Sequence, residues 1–186
     1  MKKLLYLAFY KPYGILSQFT SDNPKETLAN FNLPRDVYAC GRLDKDSEGL
    51  LLLTNDGALI ERMLNPNNEK EKTYWVQVEK IPAVSDLTTL AAGVLIGDYK
   101  TKPCRVKILE PQPEVEERNP PIRERKTIPT CWLEIILTEG KNRQVRKMTA
   151  AVGFPTLRLI RKKIGKLTLD GLLEGEYREI KREEII

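Results

Sequence analysis

The chain has 186 residues, 41% of them hydrophobic and 31% charged, with a net charge of +5 and no histidine. That length carries one good-sized domain or two small ones around a buried core, and no apolar stretch approaches membrane-spanning length. Without histidine, Ser-His, Cys-His and His-metal sites are excluded outright. Cys40, Cys104 and Cys131 are odd in number, widely spaced and form no C-x-x-C pair, which predicts reduced thiols in a cytoplasmic protein.

The chain begins MKKLLYLAFYKP, which has a short apolar segment but no small-residue cleavage site, so the segment reads as a first β-strand. Next comes GRLDKDSEGLLLLTNDG, Gly41 to Gly57, in which Asp44, Asp46, Glu48 and Asp56 surround four leucines. A calcium loop is one reading of Asp44-x-Asp46-x-Glu48-Gly49. That template needs Asp or Asn at its fifth position and a bidentate Glu at its twelfth, where this chain has Glu48 and Asn55. A turn feeding a buried strand, Leu50 to Leu53, is the second reading, with Gly49 free to adopt positive φ. The third gives one of the acids chemistry of its own.

Ala58 to Leu64 reads as a helix with Leu59, Ile60, Met63 and Leu64 on one side, stopped by Pro66. A polar loop, NPNNEKEK, follows from Asn65. KTYWVQVE alternates as a half-buried strand with Tyr74, Val76 and Val78 on one face. A second helix, capped by Ser85 and stopped by Gly93, would carry Leu87, Leu90 and Ala91. Two more strands follow, one with Cys104, Val106 and Ile108 inward and one with Leu133, Ile135 and Leu137 inward. Between them, residues 110–130 hold five prolines and many charges, so they form neither a regular helix nor a central strand. The stretch is either a disordered insertion or an ordered arm over a ligand.

Asn142 to Val152 predicts a third helix, with Val145, Met148 and Val152 as its buried stripe and Gly153 as its stop. Arg146 falls at the edge of that stripe, while Arg143 and Lys147 point outward. From Gly140 to Lys163 the chain has eight basic residues and no acid, leaving the remainder net acidic. Such a block predicts a localised surface for a polyanion. No internal repeat or clear linker appears, so residues 1–186 read as one continuous catalytic domain.

The stretch GRLDKDSEGLLLLTNDG closely resembles the signature of the ribosomal pseudouridine synthases that act on small- and large-subunit RNA. Lys11-Pro12-Tyr13-Gly14 resembles the family's K-P-x-G element, Lys72-Thr73-Tyr74 its K-x-Y strand, and GKNRQVRKM its basic helix. RNPPIRERKTIPT (Arg118 to Thr130) and GFPTLRLIR (Gly153 to Arg161) are similar to the E-type large-subunit subgroup. The elements occur in family order over nearly the whole chain. Many relatives carry a small extra N-terminal RNA-binding domain, for which there is no room ahead of Lys11.

The resemblance implies an α+β fold with a mixed, largely antiparallel central sheet flanked by helices and loops. It implies a cofactor-free and metal-free isomerase acting on large-subunit ribosomal RNA or an assembly particle, with no membrane association, as a monomer. The family's reacting carboxylate falls on Asp44, its paired arginine on Arg146 and its active-site tyrosine on Tyr74. RNA contacts fall on Arg42, Lys141, Asn142, Arg143, Lys147, Arg123, Arg125 and Arg161. Asp46, Glu48 and Asp56 are left to shape the turn or to cap the next helix. Two rival readings stand beside this one: a non-catalytic RNA-binding protein of ribosome assembly, and a hydrolase pairing Asp44 with Glu48. Retention of Asp44, Tyr74 and Arg146 together favours the synthase.

Overall fold

The computed structural model describes residues 3–123, 125 and 127–185. Positions 124 and 126 of the proline-rich arm lie outside the described residues. In chain order the elements are β1 (Tyr6–Lys11), β2 (Tyr38–Ala39), β3 (Glu48–Thr54), α1 (Gly57–Leu64), β4 (Lys72–Glu79) and α2 (Val84–Ala91). They continue with β5 (Leu95–Ile96), β6 (Tyr99–Lys100), β7 (Arg105–Ile108), β8 (Thr130–Leu137), α3 (Gln144–Ala151) and β9 (Thr156–Ile164). The last two are β10 (Leu167–Thr168) and β11 (Tyr177–Glu179). Packing divides the chain into two compact units, Met1–Lys70 with Arg161–Ile186, and Glu71–Ile160. Both mix helices with largely antiparallel sheet, which is the α+β class expected.

In the first unit β1 pairs antiparallel with β11 on one side and β3 on the other. The β1–β3 register runs from Tyr6 opposite Thr54 to Lys11 opposite Gly49. Leu7 and Phe9 therefore face the same way as their partners Leu53 and Leu51, and with Leu28 and Val37 they form one core. The Phe31 ring meets Phe9 edge-on at 5.1 Å between centroids. Leu50 and Leu52 point to the opposite face and are equally buried. The four-leucine run is thus a strand covered on both sides, which is why it does not alternate.

Gly49 needs its missing side chain. Its φ is +106°, and a Cβ there would lie 2.4 Å from the carbonyl oxygen and 2.6 Å from the amide nitrogen of Arg161. At the far end of β3, Asp56 caps α1: one carboxylate oxygen accepts the Leu59 N–H at 3.0 Å and the other accepts the Tyr6 hydroxyl at 2.9 Å. Of the apolar side proposed for α1, Leu59 alone is buried and Leu64 is half exposed.

In the second unit β8 runs antiparallel to both β4 and β7. Tyr74, Val76 and Val78 are buried along one face of β4, and Leu133, Ile135 and Leu137 along β8, as their alternation predicts. Helix α2 begins two residues earlier than expected, at Val84 with Ala83 as its cap position. Ser85 is not its cap; the Asp86 carboxylate closes the turn by accepting the Ala83 N–H at 2.8 Å. Helix α3 starts at Gln144 rather than Asn142, because Arg143 adopts a left-handed φ of 51° ahead of it. Its buried face is Gln144, Val145, Met148 and Thr149 rather than a stripe ending at Val152.

Gly49→Ala is expected to lower unfolding free energy by about 3 kcal/mol or more, from overpacking and positive-φ strain combined. Urea unfolding of the purified variant checks this, and wild-type stability would refute the close approach.

Candidate active site

The β1–β3 pairing brings the end of β1 and the start of β3 to the same edge of the first unit. The segment leaving β1, residues 12–17, therefore lies beside the segment entering β3, residues 41–47. Three backbone and side-chain contacts join them. The Gly14 N–H donates to the Lys45 carbonyl at 2.8 Å. The Ser17 hydroxyl donates to the Leu43 carbonyl at 2.9 Å and accepts the Leu43 N–H at 3.0 Å. Asp44, half-buried between Leu43 and Lys45, has its own carbonyl engaged by the Ser47 N–H at 3.0 Å.

Lys11 ends β1 with no exposed surface. Its ammonium donates to the Pro12 carbonyl at 2.8 Å and the Ile15 carbonyl at 2.6 Å, folding the chain back on itself just past the strand. Burial drives its pKa down to about 7, against the upward pull of Glu48, Asp46 and Asp44 and with the added push of Arg161. Asp44, Asp46, Glu48, Lys11 and Arg161 thus form one electrostatic group within this unit. Glu48 opens β3 and is fully buried, so its carboxyl lies in the interior rather than on the surface of the turn. Among the described residues no group of three or more His, Cys, Asp or Glu side chains is arranged to hold a metal ion.

Arg161 corrects the sequence reading. The resemblance assigned it to RNA, but it is 5% exposed and its Nε donates to the Leu50 carbonyl at 2.8 Å, a bond between residues 111 apart. Arg158, counted in the basic block, is buried too and donates to the Glu116 carbonyl at 2.6 Å. That bond ties the proline-rich arm to β9 within the second unit. Trp132 N–H adds another by donating to the Gln112 side chain at 2.7 Å. The described part of residues 110–129 has no helix or strand and makes these contacts with β8 and β9. Arg123 is exposed, as is Arg125, which pairs with Glu79 at 3.4 Å.

Tyr74 lies on β4 opposite Ile135 and is 9% exposed. Arg146 is half-buried on α3, as the helical wheel predicts, and reaches the Thr156 carbonyl at 3.5 Å. Arg143 and Lys147 are exposed, as are Lys141 and Asn142 in the loop before α3 and Arg42 beside Asp44.

Sequence reasoning missed Glu139, which shapes the entrance to α3. It accepts hydrogen bonds from the Tyr99 hydroxyl, from the Lys102 N–H at 2.9 Å and from Gln144 Nε2 at 2.7 Å. Burial alone would raise its carboxyl pKa, but those hydrogen bonds outweigh it and the net shift is downward. Gln144 in turn accepts the Lys141 N–H at 2.9 Å, and the Lys141 ammonium sits 4.5 Å over the Tyr99 ring. Lys72 of the K-x-Y strand donates to the Thr138 and Glu139 carbonyls. The three cysteines are free, and burial pushes Cys40 and Cys104 up to about 11, so neither offers a thiolate near neutral pH.

Comparison with known proteins decides the family. The family model described as RNA pseudouridylate synthase matches residues 5–151. The chain belongs to that family. It is 58% identical over 164 residues to the ribosomal large subunit pseudouridine synthase E of Xanthomonas axonopodis pv. citri, covering 87% of this chain and 86% of that one. It is 51% identical over 185 residues to the protein of the same name from Vibrio vulnificus, covering 96% and 79%. A crystal structure of a pseudouridylate synthase superposes with a TM-score of 0.78 at 29% identity, over 100% of this chain and 74% of that one. The resemblance carried by GRLDKDSEGLLLLTNDG and the elements around it is therefore a family membership, and the rival hydrolase reading falls.

The buried ammonium makes a signed pH prediction. With the folded pKa of Lys11 near 7 and the ordinary value at 10.5, unfolded chains bind the extra proton between those limits. The Lys11 contribution to stability must therefore rise with pH across that window. Subtracting the unfolding free energy of Lys11→Met from that of wild type cancels the other titrating groups. The difference should climb from about pH 7 to about pH 10.5. A flat difference in urea titrations over that range would refute the neutral-amine preference.

Proposed function

We propose that this chain isomerises a uridine of large-subunit ribosomal RNA to pseudouridine, with Asp44 as the reacting carboxylate. The observation that carries the reading is the family match over residues 5–151 together with identities of 51–58% to proteins named ribosomal large subunit pseudouridine synthase E. The reaction cleaves the N1–C1′ glycosidic bond, turns the uracil and joins C5 to C1′. The proton on C5 leaves to solvent and N1 gains one, so atoms and electrons balance without a redox partner or group donor.

Asp44 suits such chemistry because an ionised carboxylate can add to the carbon skeleton or stabilise positive charge that develops on the sugar. Its loop is tied down at Leu43 and Lys45, which supports a carboxylate held for one task. Arg146, half-buried at the edge of α3, is the cation proposed to keep a carboxylate ionised in a drying pocket. Tyr74, buried on β4, is proposed as the aromatic partner of a uracil extruded from its stack, since a stacked base cannot be reached otherwise. Arg42, Lys141, Asn142, Arg143 and Lys147 are exposed and suit phosphate contacts, with Arg123 and Arg125 of the arm joining them. Free, protonated thiols fit a reducing compartment, and we place the enzyme in the cytoplasm as a monomer working without metal. Among the described residues no helix is long and apolar enough to cross a membrane.

Purified protein should release tritium from 5-labelled uridine in unmodified ribosomal RNA, and Asp44→Asn should lower that release by about three orders of magnitude or more while still binding RNA. Wild-type-like release by Asp44→Asn would remove Asp44 from the chemistry. Replacing Arg143 and Lys147 together by alanine should weaken RNA binding and reduce the slope of log K against log salt by about one to two units. An unchanged slope in a fluorescence titration would show that α3 does not face the phosphates.

A further inference from the structure

The residues on either side of Asp44 are both held by one segment, 14–17, and by different means. Before Asp44, the Ser17 hydroxyl satisfies both backbone polar groups of Leu43, donating to its carbonyl at 2.9 Å and accepting its N–H at 3.0 Å. After Asp44, the Gly14 N–H holds the Lys45 carbonyl at 2.8 Å. Ser17 is 6% exposed and Leu43 7%, so water does not readily replace the hydroxyl. A single rotatable O–H is both donor and acceptor here, which no apolar residue of the same size reproduces.

The holding segment is itself anchored at both ends. Lys11 gathers the Pro12 and Ile15 carbonyls at its start. At its end the Leu16 N–H donates to the Glu26 carbonyl at 2.7 Å and the Leu28 N–H to the Gln18 carbonyl at 2.9 Å, with Leu28 fully buried. The Lys45 ammonium pairs with the Glu26 carboxylate at 2.5 Å, tying the Asp44 loop to the same anchor. Rotation of the 43–45 backbone therefore requires breaking the buried Ser17–Leu43 pair of hydrogen bonds before Asp44 and the Gly14–Lys45 bond after it. That is the arrangement expected where a carboxylate must meet a reacting carbon within a fraction of an ångström.

Taking Asp44 as the reacting carboxylate, we propose that Ser17 is a positioning residue for it, acting through Leu43 by fixing the backbone that aims the carboxylate. The hydroxyl touches no substrate in this role. Its loss should slow the chemical step and leave RNA affinity in place, because Ser17 is buried away from any phosphate contact.

The test combines two readouts on the full chain. In single-turnover tritium release from 5-labelled ribosomal RNA, Ser17→Ala should fall about tenfold or more below wild type while its Kd for that RNA stays within about twofold. Ser17→Thr, which keeps the hydroxyl, should recover most of the rate. Hydrogen exchange by mass spectrometry should show faster exchange in Ser17→Ala for the peptide spanning residues 42–48, with the β1–β3 strands unchanged. A merely structural Ser17 would instead lower global stability and leave the rate of the folded fraction unaltered, and that result overturns the proposal. Equal rates for wild type and Ser17→Ala overturn it too, whatever the exchange shows. If wild type releases no tritium, the reading of the reaction fails and the positioning role with it. Should Ser17→Ala not fold, Ser17→Cys, nearly isosteric with a weaker donor, takes its place in the same comparison.

Discussion

A lysine with no exposed surface terminates β1, and the edge of the first unit that carries Asp44 follows from how that group is accommodated. Placing a cation there is unfavourable by desolvation, which pushes its pKa down to about 7. The fold offsets the cost with two carbonyls of the following turn and with the negative field of Glu48, Asp46 and Asp44. Those carbonyls can be reached only if the chain doubles back immediately after Lys11, and that doubling back presents Gly14 and Ser17 to the loop carrying Asp44. The acids of GRLDKDSEG are therefore parts of one charge-balanced edge with different duties. Glu48 is buried beneath it, and Asp56, seven residues beyond Gly49, belongs to the cap of α1.

The same edge explains why Gly49 has no substitute. Lys11 faces Gly49 in the β1–β3 register, while the backbone of Arg161 presses on Gly49 within the distance a Cβ would need. Two cationic residues, Lys11 and Arg161, and a buried Glu48 thus meet around a residue with no side chain. Arg161 contributes a further hydrogen bond to the Leu50 carbonyl, adjoining Gly49 on the strand. A backbone this crowded leaves the entry to β3 little freedom.

Local pattern made much of this legible. Alternation located β4, β7 and β8, the uninterrupted leucines located a strand covered on both faces, and the helical wheel put Arg146 half inside and Arg143 and Lys147 outside. What local pattern could not carry was the fate of charged residues whose partners are remote. Arg161 looks like every other cation of the basic block, and its burial depends on a carbonyl 111 residues away. Lys11 likewise looks exposed until the β1–β3 register closes over it. Ser85 failed as a cap because Asp86, one position later, could reach back to the Ala83 N–H from inside the first turn. The family resemblance was legible because its elements are ordered along the chain, but it misplaced Arg161 for the same reason: order is one-dimensional and burial is not.

That distinction changes the meaning of the basic block. Of its eight cations, Arg158 and Arg161 are buried and engaged with carbonyls, and Arg146 and Lys162 are half-buried. Burial lowers the pKa of Lys162, with Asp170 partly restoring it. The outward charge is thereby concentrated on Lys141, Arg143 and Lys147 around the start of α3, with Lys163 exposed farther along. Lys141 is additionally held over the Tyr99 ring, and the turn it occupies is fixed by Gln144 and Glu139. A charge count along the sequence thus overstates the outward charge of the segment and hides how firmly Lys141 is placed. A cation held in place in this way loses less side-chain entropy on meeting an anion than a mobile one does, so placement as well as number sets what such a surface can bind.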